Sequence, residues 1–125
     1  MADSKHDLNM QMFARNAGTT MTYPAGSIIF KEGDEGNCIY VVQSGTIEIM
    51  NDEKVSDTCG ANDALGFMTV IDGGRHTATA RVREAAELSV IDERKFRFMV
   101  DEVPNFAYYI MKAMASRIRG MRKAV

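Results

Sequence analysis

The spacing of hydrophobic and polar residues changes once along this chain, close to Asp92. Between Thr19 and Asp92, short runs of β-branched and apolar residues alternate with turn residues, which is typical of an antiparallel sandwich or barrel. The predicted strands are 28–30, 39–42, 46–50, 77–82 and 88–91. The predicted turns are 33–36, 44–45, 51–54 and 73–74, which are rich in Gly, Asp, Asn and Ser.

After Asp92 the apolar residues recur at helical spacing. Phe96, Met99, Val100 and Val103 predict a first C-terminal helix, for which Asp92 is a suitable N-cap residue. Pro104 is placed to start a second, longer helix. The predicted apolar stripe of this longer helix consists of Phe106, Tyr109, Ile110, Ala113, Met114, Arg117, Ile118 and Met121.

A short helix is also predicted before the β region, over residues 7–17, with Leu8, Met12 and Phe13 on one side and Gly18 at its end. A chain of this length forms one domain and buries roughly two thirds of its unfolded surface. We therefore expect a single domain, mainly β with flanking helices. Its predicted parts are an N-terminal helix (1–18), a β-roll (19–92) and C-terminal helices (93–125).

Net charge and hydropathy exclude several classes of partner. The formal net charge is −2, which gives no reason to expect nucleic-acid binding. No apolar run approaches the ~20 residues of a membrane span, and the first residues lack the apolar core of a signal peptide. We therefore expect a cytoplasmic protein that binds neither nucleic acid nor a membrane.

Residues that could support catalysis or metal binding are few. Cys38 and Cys59 lack the C-x-x-C spacing and are expected to be reduced and partly buried. His6 and His76 are too few for the His and Glu ligands of a metal-dependent jelly-roll enzyme. No Ser/His/Asp or Cys/His set can be assembled, and no Walker-type loop is present. The sequence therefore predicts a protein that is not an enzyme and has no metal or cofactor.

The most informative segment is residues 65–80, LGFMTVIDGGRHTATA, in which Gly66 opens a short apolar turn and Arg75–His76 run into a strand. Such a segment can aim backbone N–H groups and cations at one point, as an anionic ligand requires. It resembles the phosphate-binding cassette of cyclic-nucleotide-binding domains. Three further motifs resemble the same family in order and spacing: YPAGSIIF (23–30), EGDEGNCIYVV (32–42) and QSGTIEI (43–49).

This resemblance implies an antiparallel β-roll, or jelly roll, with one N-terminal helix, a short helix in the cassette and two C-terminal helices. It also implies a stand-alone sensory domain for cAMP or cGMP, similar to those of Crp/Fnr regulators, cyclic-nucleotide-dependent kinases and cyclic-nucleotide-gated channels. The ligand-binding residues that it implies are Gly66, Phe67, Met68, Arg75, His76, Thr77 and Ala78.

The chain departs from the family pattern at two implied contacts. In the family, a Glu after the cassette Gly binds the ribose 2′-hydroxyl, and an Arg meets the cyclic phosphate. The ungapped alignment places Phe67 at the Glu position and His76 at the Arg position, with Arg75 one residue earlier. Phe67 accepts no hydrogen bond, and losing one charge-assisted contact of ~1.5–3 kcal/mol weakens binding about ten- to a hundredfold. We therefore expect micromolar or poorer affinity, although backbone N–H donors at Gly66, Phe67 and Ala78 remain.

Several alternatives stay open at this stage. Thr77 lies where a hydroxyl in relatives is linked to guanine recognition, so that cAMP and cGMP both remain candidates. Phe67 and Met68 either pack beneath the pocket or stack on the base. An alternative function is a degenerate domain of the same fold that binds no nucleotide and acts as a protein-interaction module. Output is expected through an unidentified protein partner or a homodimer, with a lid or partner seam formed by Met114, Ile118 and Met121.

Overall fold

A computed structural model of the chain describes residues 11–12 and 14–124, with side chains described as far as Gly120. Residues 11–12 and 14–17 are helical and form α1. The strands are β1 (Thr19–Tyr23), β2 (Ile28–Phe30), β3 (Cys38–Asn51), β4 (Lys54–Cys59), β5 (Ala64–Leu65) and β6 (Thr79–Asp92). The remaining helices are α2 (Phe67–Asp72), α3 (Glu93–Glu102) and α4 (Phe106–Ala124).

Two long antiparallel strands organise the sheet. β3 and β6 pair from Cys38↔Asp92 to Met50↔Thr79. The other strands flank this pair in the order β1-β6-β3-β4, while β2 adds to β6 and β5 adds to β3. The predicted fold class, mainly antiparallel β with flanking helices, is confirmed.

The Ser44–Gly45 pair does not form the turn between two strands that the sequence predicts. The predicted strands 39–42 and 46–50 both belong to β3, and the register against β6 shifts on either side of Ser44. Gly45 has a φ of +93°, and a Cβ there would lie 2.4 Å from the carbonyl oxygen of Ala85. This glycine therefore allows a bulge within one long strand. The two predicted strands after residue 77 likewise belong to one strand, β6.

Two hydrophobic clusters hold the structure together. One cluster is formed by strand residues alone, including Val42, Ile47, Val82 and Leu88, all fully or almost fully buried. The other cluster lies between the sheet and the helices, and its buried members are Ala14, Ile39, Val41, Ala64, Phe67, Val70, Ile91, Phe96, Met99, Phe106, Tyr109 and Ile110. The helices thus share one core with the start of β3, β5 and the end of β6.

The structure agrees with the sequence signals for α3 and differs from them in α1. The Asp92 carboxylate accepts a hydrogen bond from the backbone N–H of Lys95 at 2.8 Å, which confirms the predicted N-cap of α3. In α1, Met12 was predicted on the apolar side of the helix, but it is 60% exposed while Ala14 is fully buried. The predicted contacts of Leu8 and Phe13 lie outside the described residues.

Candidate functional site

The cassette begins where β5 ends and α2 starts. Gly66 lies between these two elements in the left-handed conformation, with φ 79° and ψ 3°. The position that a Cβ on Gly66 would occupy is 3.0 Å from the carbonyl oxygen of Cys38 and 3.5 Å from Cε1 of His76. The tight turn therefore brings the imidazole of His76 against the first residue of the cassette, although the two residues are separated by the whole of α2.

His76 is held in place by its backbone and by a ring contact. Its N–H donates to the carbonyl oxygen of Asp34 at 2.9 Å, and its own carbonyl oxygen accepts from the N–H of Gly33 at 2.8 Å. Its ring stacks on Phe30, with centroids 3.7 Å apart and planes 9° from parallel. The side chain is only 7% exposed. The 33–36 turn and β2 together fix the imidazole inside the cassette.

Gly36 and Thr69 complete the surroundings of this ring, and sequence reasoning did not single them out. A Cβ on Gly36 would lie 2.5 Å from Nε2 of His76 and 2.7 Å from Oγ1 of Thr69. Thr69 is buried, and its hydroxyl donates to the carbonyl oxygen of Gly66 at 2.9 Å. The second glycine of the G-D-E-G turn was the available signal, since no other residue type leaves room for the imidazole.

Burial changes the protonation of His76. Desolvation lowers the pKa of its imidazole below the usual value of 6.5, and the nearby carboxylate of Asp34 offsets this effect only in part. The imidazole is therefore neutral at pH 7 and presents a hydrogen bond but no full positive charge.

Arg75, the other candidate cation, is directed toward the 33–36 turn and not toward Gly66. Its guanidinium donates to the carbonyl oxygen of Gly33 at 3.1 Å and lies 3.4 Å from the carboxylate of Glu35. The two side chains of this ion pair are 63% and 84% exposed. Arg75 thus ties the end of the cassette to the 33–36 turn on the solvent side.

The side chains of Phe67 and Met68 lie in different environments. Phe67 is 5% exposed and belongs to the helix–sheet cluster, whereas Met68 is 53% exposed. The phenyl ring of Phe67 is thus packed in the core beneath the cassette, and its backbone N–H is the group left for a ligand. The assignment of both residues to a binding site stays a prediction.

Thr77 and Ala78 follow His76 in the short segment before β6. Thr77 is exposed, and its carbonyl oxygen accepts from Nδ2 of Asn51 at 2.9 Å, while Ala78 is half-buried against the strand cluster. The structure therefore brings Gly66 and His76 together with this segment nearby, and separates Arg75 from them.

One side of α4 packs on the helix–sheet cluster and on the strands before the cassette. Met114 packs against the helix–sheet cluster, and the guanidinium of Arg117 donates to Sγ of Cys59 at 2.9 Å and to the carbonyl oxygen of Ala64 at 3.3 Å. Ile118, predicted to share this stripe, is 56% exposed. The side chain of Met121 lies outside the described residues.

Cys59 is an inert thiol beneath α4. It is 2% exposed, and burial raises the pKa of its thiol to about 11, while the adjacent Arg117 only partly opposes the shift. Cys38 and Cys59 are both free thiols. Within residues 11–12 and 14–124, no group of three or more His, Cys, Asp or Glu side chains could hold a metal ion.

Comparison with known proteins identifies the family. Residues 20–103 match the family described as "Cyclic nucleotide-binding domain". The cyclic AMP receptor protein of Thermus thermophilus is 27% identical over 124 residues, which cover 95% of this chain and 55% of the relative. A lysophospholipase of Neurospora crassa is 29% identical over 100 residues, which cover 76% of this chain but 7% of the relative.

A solved structure gives the same result for the fold. The catabolite activator protein of Thermus thermophilus superposes with a TM-score of 0.80 at 24% identity, covering 93% of this chain and 57% of that one. The chain therefore belongs to the cyclic nucleotide-binding domain family, because the matched residues are well over half of it. It spans less than two thirds of the length of the relatives described here.

The described helices also bear on membrane insertion. None of the helices in the described part of the chain is long and apolar enough to cross a membrane. The expected cytoplasmic location stays a prediction.

Proposed function

We propose that this domain binds a cyclic nucleotide, cAMP or cGMP, weakly at neutral pH, and regulates a partner chain through α4. The observation that carries this proposal is the position of the His76 ring, whose Cε1 lies 3.5 Å from the place that a Cβ on Gly66 would occupy. This proximity supports the proposal because the resemblance aligns His76 with the phosphate-binding Arg of the family. One relative is named as a receptor for cyclic AMP, which supports the class of ligand.

The phosphate contacts in this proposal are mostly backbone groups. The N–H groups of Gly66, Phe67 and Ala78 donate to the phosphate oxygens, and His76 adds a hydrogen bond from its ring. Because burial lowers the pKa of His76, the ring supplies no full charge at pH 7. Because residue 67 is a phenylalanine packed in the core, it offers the ribose no carboxylate. Both features reduce the affinity relative to a site with Arg and Glu.

The output in this proposal passes from the cassette to α4. Phe67 and Val70 of α2 share the helix–sheet cluster with Tyr109 and Ile110 of α4. A ligand that moves α2 therefore changes the surface on which α4 packs. The domain itself performs no reaction, and the partner is either another protein or a second copy of this chain.

Titration calorimetry with cAMP and cGMP tests this proposal, with 5′-AMP as the matched control that lacks the cyclic phosphate. We expect saturable heat for a cyclic nucleotide at micromolar or higher concentration, and much weaker binding of 5′-AMP. Nanomolar affinity would show that the ribose and phosphate are held by groups other than those named here. Absence of heat and of any shift in melting temperature at millimolar nucleotide would reject the proposal.

One observation favours the alternative function, a domain that binds no nucleotide and serves as a protein-interaction module. The Phe67 side chain faces the core where the family has a ligand-binding Glu, and its burial stabilises the fold instead of the ligand. The same calorimetry decides between the two functions, since only the first requires heat from a cyclic nucleotide.

A further inference from the structure

α4 has two apolar faces, and among residues 11–12 and 14–124 only one of them is packed against the rest of the fold. The inner face is buried through Phe106, Tyr109 and Ile110 and is anchored further along by Arg117. The outer face consists of Tyr108, Met111, Ala115 and Ile118, all exposed, with the three large side chains at 52%, 54% and 56%. Because the inner face already holds the helix on the core, the outer face stays exposed while the domain is folded.

The spacing of the outer face matches a helix–helix seam. Its members follow one another by three, four and three residues, which places them on one line along the helix. The line covers about 15 Å, or about three turns. A seam of this length fits one amphipathic helix of similar length lying along it.

The charge of α4 indicates which kind of partner helix could bind along this seam. Its sequence, FAYYIMKAMASRIRGMRKA, contains five Lys and Arg and no Asp or Glu. Lys112 and Arg119 directly follow Met111 and Ile118 along the edge of the seam, and Nζ of Lys112 lies 5.7 Å from the ring centroid of Tyr108. The whole chain carries −2, so that the +5 of α4 leaves −7 on the rest.

This distribution of charge argues against two other occupants. A second copy would bring two helices together that each contain cations and no acid to pair with them. An anionic membrane would attract α4 but repel the rest of the chain, which carries −7 when the +5 of α4 is taken from the total of −2. An acidic helix satisfies both the apolar seam and the flanking cations.

We propose that the outer face of α4 binds an amphipathic helix of a partner protein, with apolar residues along the seam and Asp or Glu beside it. This inference rests on the proposed function only in that it names the chemistry of the partner through which α4 acts. The binding itself requires no nucleotide.

The test uses the full chain and two synthetic helical peptides of three heptads with Ile and Leu at the seam positions. One peptide carries Glu at the flanking positions, and the other carries Lys. Fluorescence anisotropy should show that the Glu peptide binds with micromolar affinity that falls as salt is raised, and that the Lys peptide does not bind. Ile118→Asp should weaken binding at least about tenfold, whereas Val55→Asp, at a similarly exposed apolar residue of β4, should not change it.

A charge reversal makes the test sharper. The double variant Lys112→Glu/Arg119→Glu should bind the Lys peptide in preference to the Glu peptide. Equal binding of both peptides by the wild type, or no switch in the double variant, would overturn the assignment of an acidic partner. Concentration-dependent dimerisation abolished by Ile118→Asp, or sedimentation with phosphatidylserine vesicles abolished by it, would replace the partner helix with a second copy or a membrane.

Calorimetry on the same samples separates this inference from the proposed function. Peptide binding without any affinity for cAMP or cGMP would support the inference and reject the proposed function. Nucleotide binding with no affinity for the Glu peptide would reject the inference alone.

Discussion

Replacing His76 with Arg should convert a weak, pH-dependent anion contact into a strong, pH-independent one. In the wild type the imidazole lies beside Gly66. It is neutral at pH 7, because burial lowers its pKa below 6.5. A guanidinium remains charged at every accessible pH, is planar, and can stack on Phe30 as the imidazole does. The variant should therefore place a permanent cation beside Gly66.

The expected magnitude follows from the difference between a neutral and a charged hydrogen bond. A charge-assisted bond contributes ~1.5–3 kcal/mol and a neutral bond ~0.5–1.5 kcal/mol, so the gain of about 1–1.5 kcal/mol corresponds to about five- to tenfold in affinity for a cyclic nucleotide. Arg75 provides the matched control. Its ion pair with Glu35 is exposed and points away from the cassette, so Arg75→Ala should change the affinity by less than about threefold.

Titration calorimetry of the wild type, His76→Arg and Arg75→Ala across a range of pH checks this reasoning. Wild-type affinity should rise as the pH falls below 6.5, since His76 then gains its proton, while the affinity of His76→Arg should stay level. The melting temperature of each variant shows whether the longer Arg side chain disturbs the fold. A loss of binding in Arg75→Ala with no gain in His76→Arg would refute the assignment of the phosphate contact to His76.

Three further predictions concern stability and the contact with α4. The folded protein lowers the pKa of His76, so the unfolded state binds more protons. The free energy of unfolding should therefore fall as the pH drops from 6.5 through the pKa of the folded state. Urea titrations should show this fall in the wild type and not in His76→Gln. Gly36→Ala should destabilise the domain by about 1–3 kcal/mol because its methyl group collides with the imidazole, whereas Gly60→Ala, with nothing within 4 Å, should not; equal denaturation midpoints would contradict the tight slot. Arg117→Gln should speed alkylation of Cys59 severalfold at equal thiolate fraction, in a background without the other thiol, because Arg117 covers this buried sulfur. The comparison is made at equal thiolate fraction because losing Arg117 also raises the pKa of the Cys59 thiol. An unchanged rate would show that Arg117 does not hold α4 down.

The elements that the sequence predicts well are those whose side chains alternate between a buried and an exposed face. The apolar runs of β3 are of this kind. The cap at Asp92 was also predicted, because an Asp just before a helical apolar pattern is a local signal. β4 has five exposed residues out of six and therefore shows no apolar alternation, so it was missed. Arg117 and Ile118 were both placed on the predicted stripe of α4; Arg117 does reach the core side through Cys59, whereas Ile118 is turned toward solvent.

The candidate site could be located from the sequence but not oriented. The motif at 65–80 indicates the cassette, yet adjacent residues of an extended segment point to opposite sides, and the motif alone does not say which of Arg75 and His76 faces inward. The antiparallel bridge between Glu35 and Arg75 decides this orientation, and it depends on a turn about 40 residues earlier in the chain. The role of Gly36 likewise arises only from the contact across that turn.

The two departures from the family pattern, Phe67 and His76, are coupled through charge. A Glu at position 67 beside a neutral His76 would leave an unbalanced negative charge near the bound phosphate, whereas a Glu beside an Arg would leave the site balanced. Phe67→Glu alone should therefore give little gain in nucleotide affinity, and the same substitution in the His76→Arg background should tighten binding by about tenfold or more. Both variants lose the core packing of Phe67, at least about 3–5 kcal/mol, and both require the Glu side chain to leave the core to reach the ligand. This shared cost cancels when the affinities of the two variants are compared, and their melting temperatures establish that both are folded. Calorimetry on the four proteins of this cycle measures the coupling, and strictly additive effects would show that residues 67 and 76 act on the ligand independently.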